Sequence, residues 1–95
     1  MTIGVAYGSD VELIKKLLIE IAWKHAKVIT NPPPMVLFHD FGESSLDFEL
    51  VFWSNHLFPI EQVKSDIRFM IDAEFRENNI SIPFPQRDVH MIQPK

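Results

Sequence analysis

The chain has 95 residues, enough for one compact domain, and its 46% hydrophobic and 12% aromatic content supports a core and argues against disorder. Its net charge is −4, and Lys15-Lys16 is the only pair of adjacent cations, which argues against a nucleic-acid or anionic-lipid partner. It has no cysteine, which excludes thiol catalysis and thiolate metal sites and fits a reducing compartment.

Ile3-Gly4-Val5-Ala6-Tyr7 alternates large and small residues and predicts a strand, broken at Gly8. A strand that starts so close to Met1 reads as a piece cut from a longer protein. Ser9 with Glu12 three places on reads as a capping box for a helix from about Asp10 to Ala26. Val11, Ile14, Leu17, Leu18 and Ile21 form its apolar face, widened by Leu13 and Trp23. Val28-Ile29-Thr30 is short and β-prone, and Asn31-Pro32-Pro33-Pro34 is a stiff extended linker. Met35 to Phe41 predicts a second strand and Gly42-Glu43-Ser44-Ser45 a turn, in which the serine hydroxyls serve the backbone.

Leu46 to Trp53 is the clearest strand. Leu46, Phe48, Leu50 and Phe52 face one way; Asp47, Glu49, Val51 and Trp53 face the other. The short turn makes these two strands a hairpin with one face in the core and one partly wet. Pro59 opens a second helix, whose apolar face is Ile60, Val63, Ile67, Met70, Ile71 and Phe75, and Asn78-Asn79 ends it. Ile80-Ser81-Ile82 is extended, Pro83-Phe84-Pro85 follows, and Asp88 to Gln93 alternates again. The order predicts an α+β fold of ferredoxin-like (βαββαβ) type: an antiparallel sheet with two helices on one face.

Chemistry is sparse. His25, His39, His56 and His90 form no pair at metal-ligand spacing. With glycine only at positions 4, 8 and 42, no phosphate-cradling loop is spelled out. Asp47 and Glu49 sit about 7 Å apart on one strand face, a spacing open to acid–base work but more typical of a wet sheet face. Acylphosphatase-like enzymes share this architecture and hold phosphate with an arginine in the loop after the first strand. Here that loop is Tyr7-Gly8-Ser9-Asp10, which has no arginine and carries a carboxylate. The expectation is therefore a non-enzyme, without metal or cofactor. The segment Pro83-Phe84-Pro85-Gln86-Arg87-Asp88-Val89-His90 is stiffened by its prolines and cannot donate to a ladder at either one. It reads equally as a cover for the domain's own core or as a connector into an assembly.

Three segments, Gly4 to Asp10, Phe41 to Leu50 and Ile82 to His90, resemble the small-conductance mechanosensitive channel family in order and separation. The last is the most specific, and the resemblance runs from about Ile3 to Ile92. It implies the C-terminal α/β domain, 1–95, of a longer membrane protein, with residues from about 83 to 95 as connector and barrel strand. It further implies membrane helices and a β domain upstream, and a homo-heptameric vestibule on the cytoplasmic side of the bacterial inner membrane. Pro83 to His90 would then be the subunit interface, Asp88 to Ile92 a strand of a parallel barrel, and Ile80-Ser81-Ile82 the remaining candidate for a last sheet strand. The alternative reading is a free-standing ferredoxin-like module that binds a small ligand or a partner.

Overall fold

The structure, a computed structural model, describes residues 1–55 and 59–83. It contains β1 (Thr2–Val5), α1 (Val11–Lys24), β2 (Met35–Phe41), β3 (Leu46–Val51) and α2 (Ile60–Glu77). The strands form one antiparallel sheet in the order β1-β3-β2. This is the α+β, ferredoxin-like arrangement expected from the element order. The place of a fourth strand, beside β1, is marked by one backbone bond, from the Ala6 N–H to the Ser81 carbonyl at 2.9 Å.

β3 alternates as its sequence predicts. Leu46, Phe48 and Leu50 are buried, while Asp47, Glu49 and Val51 between them are partly exposed. Ile3 and Val5 of β1 bring the same face up to the helices. There they meet Ile14, Leu17, Leu18 and Ile21 of α1 and Val63, Ile67, Ile71 and Phe75 of α2 in one cluster. Phe52 and Met70 pack at its margin, as does Leu13, but Trp23 is half exposed and does not extend the buried stripe of α1.

Three local details differ from the sequence expectation. The cap of α1 is Asp10, whose Oδ1 accepts from the N–H groups of Glu12 and Leu13 at 3.1 and 3.2 Å. Ser9 is not the cap, because it closes the turn before it: its hydroxyl and its N–H both donate to the Ala6 carbonyl. Gly8, with φ of 94°, makes that turn possible. Secondly, α1 ends at Lys24 rather than Ala26. His25 leaves the helix in an extended conformation, with Nδ1 accepting the Lys27 N–H and Nε2 held 3.0 Å from Asp66 on α2. Thirdly, β1 and β3 are shorter than expected and release Tyr7 and Trp53 from the ladder.

α2 begins after Pro59, where a missing N–H costs nothing. Asn78 and Asn79 end it: Asn79 takes φ of 57°, and the Ile80 N–H turns back to the Phe75 carbonyl. The cap assignment is directly testable. Asp10→Ala should cost about 1 kcal/mol in urea unfolding, whereas Glu12→Ala should stay within about 0.5 kcal/mol. A larger loss from Glu12→Ala would restore the capping box at Ser9.

Candidate assembly surface

Among the described residues, the helices leave one sheet face and the β2 edge uncovered. Among the described residues β2 has one neighbour, β3, and none of its seven residues is fully buried. The ladder is regular from Met35 to Phe38, then shifts before Asp40, and His39 drops out of the pairing. That extra residue changes which way the rest of the strand points. Without it, Phe38 and Phe41 would face opposite sides. With it, Phe38 lies opposite Phe48 and Phe41 opposite Leu46, both on the helix side. The Phe38 ring stacks on Phe48 at 4.8 Å and meets Phe41 at 5.0 Å. Phe41 remains 70% exposed.

The other face carries Met35 opposite Val51, Leu37 opposite Glu49, and Asp40 opposite Asp47. Met35 and Leu37 are exposed, and so is Trp53 just beyond β3. The β2–β3 hairpin holds Asp40, Glu43, Asp47 and Glu49 without a lysine or arginine. Every lysine and arginine among the described residues lies on the helices or, as with Lys27, just after one. Like charges opposite each other in a sheet repel, and each member of the Asp40–Asp47 pair has a donor of its own. The Phe41 N–H donates to Asp40 at 2.8 Å, and the Ser45 hydroxyl donates to Asp47 at 2.6 Å. Ser45 thus serves a side chain, not the backbone as the turn motif suggested. His39 sits 3.6 Å from Glu49, so the two carboxylates of β3 have separate partners and do not converge.

The first two motif segments meet at the turn of this hairpin. Gly4 pairs with Asp47 and Val5 with Leu46, and the Tyr7 hydroxyl donates to the Gly42 carbonyl. Gly42 closes the turn by donating to the Ser45 carbonyl at 2.7 Å. A Cβ at Gly42 would come within 2.6 Å of Asp47 Oδ2 and 3.0 Å of the Ser45 carbonyl. These segments thus hold the hairpin tip to the end of β1.

A phosphate at the start of α1 would find donors there already engaged. The Glu12 and Leu13 N–H groups at the start of α1 are taken by Asp10. Among the described residues no group of three His, Asp or Glu side chains is placed to hold a metal, and no helix is long and apolar enough to cross a membrane. Of the interface segment, Pro83 is described and partly buried; Phe84, Pro85, Gln86, Arg87, Asp88, Val89 and His90 lie outside the described residues, as does the expected barrel strand. The partly wet hairpin face was expected from the alternation of β3, whereas the exposed apolar side chains of β2, Met35, Leu37 and Phe41, were not.

The fold and the hairpin geometry define a small ferredoxin-like α+β domain with a broad uncovered sheet surface. Comparison with known proteins makes this specific. The family described as "Mechanosensitive ion channel MscS, C-terminal" matches residues 1–82. The mechanosensitive channel MscK of Escherichia coli is 40% identical over 93 residues, covering 98% of this chain and 8% of that protein. A small-conductance mechanosensitive channel of Helicobacter pylori is 35% identical over 86 residues, covering 90% of this chain and 31% of that protein. The crystal structure of Helicobacter pylori MscS in its closed state aligns over 99% of this chain and 37% of that one, with a TM-score of 0.84 and 32% identity. The chain belongs to the MscS family of mechanosensitive channels, as its C-terminal domain. It spans about a third or less of the length of these relatives.

The hairpin turn yields a prediction. Gly42→Ala should destabilise the domain by about 1–3 kcal/mol. Because Asp47 makes the closest clash, Gly42→Ala and Asp47→Ala should be non-additive, the double variant recovering more than about 0.5 kcal/mol of the summed loss. Additive losses in a denaturant-based cycle would show that the two positions are not in contact.

Proposed function

We propose that this domain is a wall element of the cytoplasmic vestibule of a homo-oligomeric, tension-gated channel, and that it has no catalytic role. The observation that carries the proposal is the match of nearly the whole chain to Helicobacter pylori MscS. In this reading the remainder of a longer polypeptide supplies the membrane helices, on the bacterial inner membrane, and seven copies close the vestibule. The channel passes ions and osmolytes under tension.

The mechanism of this part is mechanical and electrostatic. One continuous core makes the sheet and both helices a rigid block. Openings between neighbouring blocks admit small solutes and bias ion traffic by the charge around them. The uncovered hairpin supports this reading, since a row of exposed apolar side chains on a small domain marks a contact surface. Its carboxylates would set the sign of any field it faces. Pro83 to His90 joins one block to the next. No cofactor or nucleic-acid partner is required.

The test is made in the full-length channel. Phe84→Ala or Pro85→Ala should weaken ring assembly, seen as a fall in oligomer mass in detergent. An unchanged mass for both variants would remove the segment from the interface.

A further inference from the structure

The chain leaves α1 through a turn that a histidine closes with its own ring. The Val28 N–H donates to the His25 carbonyl at 3.1 Å, and the Lys27 N–H donates to His25 Nδ1 at 3.1 Å. A side chain that accepts from the N–H two residues on is the arrangement asparagine and aspartate make in an Asx-turn. Here the acceptor is a ring nitrogen that can take a proton. The turn leads Val28 into the core, and the Ile29 N–H then donates to the Trp53 carbonyl at 2.7 Å. It thus sets how the connector from α1 to β2 lies beside the residues that follow β3.

Both ring nitrogens are committed. A bond accepted from Lys27 requires a bare Nδ1, so the one proton of the neutral ring is on Nε2, which donates it to Asp66 Oδ2 at 3.0 Å. A second proton has only Nδ1 to go to. There it meets the Lys27 N–H, donor against donor, and that bond is lost. The Nε2 bond is kept and now joins a cation to a carboxylate. The His25 side chain is 10% exposed, which leaves a new Nδ1–H little water to turn to. The charged groups around the ring among the described residues are Lys24 and Lys27 on either side in the chain, and Asp66 and Glu74 on α2. Lys24 and Glu74 lie 3.6 Å apart and form a second tie between the helices.

We propose that His25 is a proton-operated latch on the connector between α1 and β2. With the ring neutral the latch is closed. Proton uptake opens the turn at Lys27 while the helices stay joined at Asp66. The latch rests on contacts within this domain, so it stands apart from the proposed role in a channel and is tested on the 95-residue chain.

The test follows the imidazole nitrogens, by long-range proton–nitrogen NMR correlations, together with the Lys27 amide through a pH titration. While the ring is neutral, His25 should show the Nε2–H tautomer. As its nitrogens shift to those of imidazolium, the Lys27 amide should lose about fivefold or more of its protection, measured against its intrinsic exchange rate at each pH. In His25→Asn the turn keeps an acceptor that does not titrate, so Lys27 should stay protected over the same range. An Nδ1–H tautomer in the neutral ring would overturn the proposal. So would a ring that becomes imidazolium with Lys27 still protected, or one that stays neutral until the domain unfolds; these arms need no variant to fold. The same loss of protection in a folded His25→Asn chain would overturn it equally.

Discussion

β3 gives one backbone edge to β1, the other to β2, and its Leu46, Phe48 and Leu50 face to both helices. Among the described residues no other strand is paired on both sides. Burying those three side chains removes apolar surface from water, which is the main favourable term available to so small a domain. Strict alternation makes the arrangement sensitive to register: a slip of one residue would turn Asp47 and Glu49 into the core and Leu46, Phe48 and Leu50 out of it. The rest of the fold can be read as support for that register. The hairpin turn at Gly42, the Ser45–Asp47 bond and the Tyr7–Gly42 bond all fix how the strands meet at one end of β3.

The same constraint explains the uncovered surface. Two helices pack against one face, and the core lies mainly over β1 and β3. β2 is left at the margin, with Val36 and Phe38 reaching inward and Phe41 overhanging. The bulge at His39 twists the edge and interrupts the ladder, which limits continuous pairing with another strand. Side-chain contact is thus favoured over strand addition at this edge.

Much of this was legible in the residues themselves. The alternation of Leu46 to Phe52 and the 3.6-residue spacing from Val63 to Phe75 are direct consequences of packing against one face, so they survive in the sequence. The bounds of β2 and the end of α2 at Asn78-Asn79 were legible for the same kind of reason. The cap of α1 was not. Ser9 and Asp10 are both good caps, and the choice depends on where Gly8 turns the chain and what Ser9 is already bonded to. The bulge at His39 carries no glycine to announce it. The Tyr7–Gly42 bond spans 35 residues and leaves no periodic trace. The segment proposed as the subunit interface rests on resemblance to a family, and only Pro83 of it lies among the described residues. The Ala6–Ser81 bond at the edge of β1 likewise leaves no sequence pattern.

Family membership makes this chain a C-terminal domain of the MscS family, and the proposed vestibule role requires the remainder of a channel around it. The most direct measurement is a pressure-step recording from membrane patches that hold the full-length protein encoded with this domain. The account predicts a conductance that opens with membrane tension and is absent from patches without the protein. Patches in which the protein is present in the membrane but no tension-dependent current appears would contradict it.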